Sequence, residues 1–70
     1  MSTYAVVIEG ANGSYSAYVP DLPGCVAAGA SVEDITLMIR EAIELHIESL
    51  RAHGEAVPTP TTAVRLVDVA

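Results

Sequence analysis

One long amphipathic pattern, over residues 32–53, constrains the fold of this chain more than any other feature. Apolar side chains recur there at helical spacing and occupy about 100° of the helical circumference. Ser31 precedes the pattern as a helix N-cap, with Asp34 three residues later, and Gly54 follows it as a natural stop. The pattern predicts a helix over residues 32–53. Its apolar face, which another layer must cover, holds Ile35, Ile39, Ala42, Ile43, His46, Leu50 and His53, and its polar face holds Glu33, Arg40, Glu41, Glu44, Glu48 and Arg51.

Four short segments around this helix are predicted as strands, because they are rich in β-branched, aromatic or small residues: 4–9, 14–19, 25–29 and 64–69. Asn12-Gly13 indicates a two-residue hairpin. Pro20 ends the second strand because it has no N–H to donate, and Asp21 is expected to cap the turn that follows. A right-handed crossover through the helix would place the last strand beside the first. The predicted fold is α+β: a β-β-β-α-β chain with a four-stranded mixed sheet of order 3-2-1-4 and one helix on one face, in one domain over residues 1–70.

The small size of the chain predicts a partner. A domain of 70 residues rarely gains more than a few kcal/mol from its own core. One cysteine cannot form an intramolecular disulfide, yet 51% of the residues are hydrophobic. A helix of about 33 Å would also overhang strands of about 20 Å. We therefore expect a homodimer or tetramer, with an interface formed by Val7, Tyr18, Ile47, Leu50 and Val67.

The charge of the chain limits the kinds of partner it could bind. Nine acidic residues stand against three arginines and no lysine, for a net charge of −6. Nucleic-acid phosphates would be repelled by this field, whereas a basic protein would be attracted. The N-terminal residues lack the basic and apolar regions of a signal peptide, and no segment is apolar enough to span a membrane. Together with the lone cysteine, this pattern predicts a cytoplasmic protein.

Several residues could carry chemistry, and each has a simpler structural interpretation. Glu9 and Asp68 would lie at the same end of neighbouring parallel strands, near Glu33 and Asp34, as a two-metal nuclease requires. Strand alternation, however, places Glu9 and Asp68 on opposite faces of the predicted sheet. We therefore expect neither a metal site nor a cofactor.

The histidines and the cysteine do not form a catalytic set in the sequence. His46 lies at the centre of the apolar helix face without a recognisable nucleophile or orienting partner. His53 lies in the last helical turn, where it can complement the helix C-terminus. Cys25 has no lysine or nearby histidine to activate it and is expected to be a small buried residue. These residues favour a protein that is not an enzyme.

A resemblance emerges from the segment YVPDLPGCVAAGASVEDITLMIREAIELHIESLRAHGEAVPTP, residues 18–60. It closely resembles the HicB-like antitoxin family. The family pattern is a strand ending in Pro-Asp-Leu-Pro-Gly-Cys, a short strand with Gly, a Ser- or Thr-capped helix, and a Gly-Glu tail with two prolines. The matching positions are residues 20–25, Gly29, Ser31, residues 41–43, Gly54-Glu55, Pro58 and Pro60.

The resemblance implies a partial ribonuclease H-like fold without its active site. It also implies a non-enzymatic antitoxin that binds a HicA-like toxin, a small basic protein that cleaves mRNA, and masks its catalytic histidine. Longer members carry a C-terminal DNA-binding domain, and this chain ends one predicted strand past the helix, so direct DNA binding is not expected. The alternative is a stand-alone, non-catalytic RNA-binding or regulatory module of the same fold. The residues expected to contact the toxin are Pro20, Asp21, Leu22, Pro23, Gly24, Glu41, Glu44 and Glu48.

Overall fold

Three antiparallel strands and one helix make up the regular structure of residues 2–70. The computed structural model describes residues 2–70. The elements are β1 (Val7–Ala11), β2 (Ser14–Tyr18), β3 (Val26–Gly29) and α1 (Val32–Ala52). The strands form one sheet in the order β1-β2-β3, so that β1 and β3 are its edges.

The hairpin between β1 and β2 confirms the Asn-Gly signal. Asn12 and Gly13 both have positive φ, 53° and 79°, as a tight two-residue turn with the twist of the flanking strands requires. The register pairs Ala11 with Ser14 and Val7 with Tyr18. Because β2 stops at Tyr18, residues 4–6 have no strand opposite them, and β1 begins three residues later than predicted.

The core lies between one face of the sheet and α1. Ile8, Ala17 and Ala27 lie side by side across the three strands on the helix-facing side. Ile35 and Ile39 of α1 cover this face and are almost completely buried. The helix packs against β3 and β2, which leaves the side of β1 less well covered.

Both ends of α1 confirm the signals in the sequence. The Ser31 hydroxyl accepts a hydrogen bond from the backbone N–H of Asp34 at 3.0 Å, which satisfies one of the free donors of the first turn. At the other end Gly54 has a φ of 69°. Its N–H donates to the Arg51 carbonyl, and the N–H of Glu55 donates to the Leu50 carbonyl at 2.8 Å. This pair of bonds is the Schellman arrangement that ends many helices.

The predicted fourth strand is wrong. Within the described residues, 64–69 have no regular structure and pair with no strand, so the four-stranded mixed sheet of order 3-2-1-4 is not formed. The segment has strand-forming residues, but the residues before it bond elsewhere: Pro58 to Tyr4, and Thr61 and Thr62 to Asp21 in the loop between β2 and β3. Leu66 is 98% exposed and Val69 is 89% exposed. Residues 63–70 are called the C-terminal arm below.

The helix does not have the composition of a membrane span. Over the part of the chain that the structure describes, no helix is both long and apolar enough to cross a bilayer.

Candidate partner-binding site

The loop between β2 and β3 is a rigid corner with its apolar side chains turned inward. The Leu22 N–H donates to the Val19 carbonyl at 3.1 Å, and the Cys25 N–H donates to the Leu22 carbonyl at 3.0 Å. The Val19 N–H closes the corner by donating to the Cys25 carbonyl at 3.2 Å. Val19, Leu22 and Cys25 all belong to the buried core. The corner is therefore held from inside, and Pro23 and Gly24 form its exposed tip.

Leu22 does not lie on the accessible surface predicted for it. Its side chain has no exposed area, so a partner could reach it only if the core opened. Leu22 shapes the corner from below, and any surface contact would come from Pro20, Pro23 or Gly24. The sequence could not show whether Leu22 is a buried residue or a surface contact, since an apolar residue between two prolines fits either role.

Asp21 connects this corner to the segment that follows the helix. One carboxylate oxygen accepts the hydroxyls of Thr61 and Thr62, each at 3.0 Å. The other oxygen accepts the backbone N–H of Thr61 at 3.2 Å and that of Thr62 at 3.1 Å. We call these four bonds the Asp21 clasp. The Thr62 N–H is the main cause that lowers the pKa of Asp21 below its ordinary value of 3.8, and the other three bonds add to it against partial desolvation.

The local turn cap predicted for Asp21 is replaced by this long-range contact. Thr61 and Thr62 lie 40 and 41 residues further along the chain, so no local pattern reveals them as partners. The only sequence signal is the pair of adjacent threonines after Pro60, which offers two hydroxyls and two N–H groups. Sequence reasoning missed both threonines.

The three glutamates predicted to bind the toxin are all exposed on α1. Glu44 forms an ion pair with Arg40, with 3.7 Å between its Oε1 and the arginine Nε. Both side chains are largely exposed, so the pair adds little to stability. Glu41 and Glu48 take part in no ion pair within residues 2–70.

An open groove of about 990 Å³ runs between α1 and the chain that leads into β1. Its floor is apolar and its rim is charged with both signs. None of the corner residues lines it, so the two halves of the predicted toxin site, the corner and the glutamates, do not share a pocket. The floor residues are Tyr4, Val6, Ile8, Ile39, Ile43, Ile47 and Val57, and the charged rim residues are Arg40, Glu44, Glu48 and Arg51.

The predicted oligomer residues lie in three separate regions. Val7 and Tyr18 are cross-strand neighbours on the outer face of the sheet, where Tyr18 is 44% exposed. Ile47 lines the groove, and Leu50 packs against the core as a partly buried residue. Val67 lies on the C-terminal arm, where it is 76% exposed. The structure does not join these residues into one patch on a single chain.

The residues weighed as catalytic do not assemble. Glu9 is exposed on the outer face of the sheet and Asp68 lies on the C-terminal arm. Among residues 2–70, no cluster of three histidine, cysteine or carboxylate side chains could hold a metal ion. Burial raises the pKa of the Cys25 thiol, which keeps it protonated, whereas a nucleophilic cysteine needs the thiolate.

The two histidines occupy structural positions. His46 is half-buried on the apolar side of α1. The His53 ring Nδ1 lies 2.7 Å from the Ser49 carbonyl, so His53 contacts the last turn of the helix as its position suggests.

Comparisons with known proteins point to one family. Residues 4–69 match the family model described as HicB_like antitoxin of bacterial toxin-antitoxin system. A UPF0150 protein of Synechocystis is 39% identical over 67 residues, covering 94% of this chain and 85% of that protein. A UPF0150 protein of Thermoplasma acidophilum is 41% identical over 56 residues, covering 79% of this chain and 81% of that protein.

A longer relative matches only in part. An uncharacterized 14.9 kDa protein of Haemophilus phage HP1 is 40% identical over 55 residues, which are 79% of this chain but only 41% of the phage protein. No solved structure matches the chain. The family model covers nearly the whole chain, including the corner, α1 and the arm, and on this ground the chain belongs to the HicB-like antitoxins of bacterial toxin-antitoxin systems.

Proposed function

We propose that this protein sequesters a basic, HicA-like toxin that cleaves mRNA and inhibits it by direct binding. Membership of an antitoxin family supports a toxin partner. The observation that carries the basic character of that partner is the row of exposed carboxylates Glu41, Glu44 and Glu48 on α1. Within residues 2–70, Glu44 is the one member of this row that forms an ion pair, and the chain as a whole has a net charge of −6.

The two parts of the proposed surface would act in different ways. The carboxylates attract a basic protein over a distance, which raises the association rate and is screened by salt. The tip of the corner, Pro23 and Gly24, offers a fixed shape because hydrogen bonds and the buried Leu22 hold it in place. A preorganised contact of this kind loses little conformational entropy on binding.

A charge-reversal experiment tests the proposal. We expect the wild-type chain to bind a HicA-like toxin and to stop it from cleaving RNA; the first candidate to test is any short basic protein encoded beside this chain. The double variant Glu44→Lys with Glu48→Lys should associate at least tenfold more slowly at low salt and show a flatter salt dependence, because steering acts mainly on the association rate. Surface plasmon resonance over a salt series measures both quantities.

A matched control separates steering by this face from the effect of net charge. The variant Glu9→Lys with Glu55→Lys changes the net charge by the same amount, and both residues are exposed but lie outside α1. We expect a smaller change in association rate from this pair. Equal slowing by the two double variants would show that the helix face is not the docking face, and the absence of binding to the neighbouring toxin would refute the proposal itself.

A further inference from the structure

The flank of α1 on the far side from the groove exposes three large apolar side chains. Leu37 is 63% exposed, Met38 is 45% exposed and Leu45 is 66% exposed. The helix contacts the sheet through another side, where Ile35 and Ile39 are buried. None of the three exposed side chains lines the groove beside β1. The packing of a single chain therefore does not account for them, and exposed apolar surface of this kind marks interaction sites.

Glu41 lies at the centre of these apolar side chains. Residues three and four apart on a helix are surface neighbours, and Leu37 and Met38 precede Glu41 by four and three residues, while Leu45 follows it by four. Within residues 2–70, the Glu41 carboxylate forms no ion pair, and both arginines of the helix line the groove instead. We call Leu37, Met38, Glu41 and Leu45 the outer patch. It is an apolar surface with one negative charge at its centre and no positive charge of its own.

The charge of the outer patch selects among the partners that could cover it. Asp34 and Glu48, both exposed, extend its acidic character at either end. A second copy would bring the carboxylates of this surface together without a basic residue to pair them, which is unfavourable across an interface. Nucleic acids and anionic lipids carry negative phosphates and would be repelled as well. A protein segment with a basic side chain between apolar ones would match both the charge and the apolar area.

We propose that the outer patch is the contact at which a basic amphipathic helix of the toxin docks along α1, an inference that rests on the proposed function. The partner helix would place an arginine or lysine against the Glu41 carboxylate and apolar side chains against the other three residues of the patch. Packed helices fit side-chain ridges into grooves at about 8–10 Å between their axes. The 21 residues of α1 offer a partner helix several turns along which to pack.

This contact has a different kinetic signature from that of the steering carboxylates. Once the partner has docked, apolar side chains would enclose the ion pair at Glu41 and exclude water from it. Loss of one member of an enclosed pair acts on the dissociation rate. Exposed charges such as Glu44 and Glu48 act mainly on the association rate. One binding measurement can therefore distinguish the contact from the steering face.

The dissociation rates of matched variants test the contact. With the HicA-like toxin of the charge-reversal experiment as the probe, Leu45→Gln and Glu41→Gln should each dissociate at least tenfold faster than the wild type and change little in association rate. Both positions are exposed and glutamine suits a helix well, so the variants should keep the circular dichroism spectrum of the wild type. The control is Leu66→Gln on the exposed C-terminal arm, which should dissociate as the wild type does. Surface plasmon resonance measures both rates.

Photo-cross-linking identifies the partner element. A photo-reactive residue at position 37 should cross-link to one helix of the toxin, beside a lysine or arginine, and the same residue at position 66 should not. Mass spectrometry of the digested product locates the cross-link.

The outcomes separate this contact from the proposed function. Unchanged dissociation of both helix variants, equal cross-linking from positions 37 and 66, or a cross-link from position 37 to a second copy of this chain would each overturn the outer patch as the docking contact. Inhibition of the toxin by the wild type would then still support the proposed function. A wild type that does not bind the toxin would refute the proposed function and this inference together.

Discussion

At the scale of single residues, the Asp21 carboxylate holds a segment that lies 40 residues further along the chain. Its two oxygens accept four hydrogen bonds from Thr61 and Thr62, and these bonds decide where the chain after α1 goes. Carboxylates bonded by several N–H and O–H groups favour the ionised form. Protonation of this one side chain would therefore weaken the bonds that hold Thr61 and Thr62.

The clasp predicts a pH-dependent contribution to stability. Because the folded pKa of Asp21 lies below 3.8, the ionised clasp stabilises the fold at higher pH, and this contribution is lost as the pH falls from that value through the lower folded pKa. Asp21→Asn cannot titrate and should be less stable than the wild type at neutral pH. The gap should close in strongly acidic solution. Urea unfolding of both proteins over a pH series measures it.

The control for this prediction is a carboxylate whose side chain forms no hydrogen bond or ion pair within residues 2–70, that of Glu9. Glu9→Gln removes an exposed carboxylate from the outer face of the sheet, so its stability should follow the wild type over the same pH range. A difference between wild type and Asp21→Asn that stays constant from neutral to acid pH would contradict the ionic character of the clasp.

At the scale of elements, the hairpin of β1 and β2 depends on the absence of a side chain at Gly10. Its φ is 133°, and a Cβ there would lie 2.2 Å from the Ser14 carbonyl oxygen, far inside contact distance. Gly10→Ala should therefore cost about 3 kcal/mol or more, since backbone strain and a clash combine. Gly24 also has positive φ, 84°, but no atom lies within 4 Å of its Cβ position. Gly24→Ala should cost only about 1–2 kcal/mol.

Urea unfolding of the two glycine variants measures this difference. If both variants lose the same free energy of unfolding, backbone strain from positive φ accounts for both losses. The close contact with Ser14 would then be relieved by a shift that costs no free energy. A larger loss at Gly24 would show that the corner, and not the hairpin, is the sensitive element.

The elements also show what could be predicted from sequence. Ser31, Gly54 and the Asn12-Gly13 pair are local signals, and each one bounded its element to within one or two residues. The fourth strand failed because strand composition states only that a segment can pair, not where its partner lies. Its direction depends on Asp21, whose threonine partners lie 40 residues away. The exposed glutamates could be predicted because helical spacing is a local pattern. The groove could not be predicted, because it forms between α1 and residues that lie far from it in the sequence.

At the scale of the whole molecule, the hydrophobic core is small, as the length of the chain predicts. Among residues 2–70, only six residues are buried: Ala17, Val19, Leu22, Cys25, Ile35 and Ile39. Ile43, Ile47 and Leu50 extend this core along α1 but remain partly exposed. The largest dimension of the molecule is 46 Å, well beyond the helix length of about 31 Å. A second chain covering the groove would add the apolar burial that one chain lacks.

The dimer that the sequence predicts would make thermal stability depend on protein concentration. When a dimer unfolds to two separate chains, mass action raises the Tm as the protein is concentrated. With ordinary unfolding entropies for two chains of this size, a tenfold increase in concentration should raise the Tm by about 5 °C. Val67→Glu should remove most of this dependence, because it places a charge in the predicted interface, and Leu45→Glu, which lies outside that interface, should keep it. Differential scanning calorimetry over a hundredfold concentration range compares the three proteins. A wild-type Tm that does not change with concentration would mean that the chain unfolds alone and that the predicted dimer does not form.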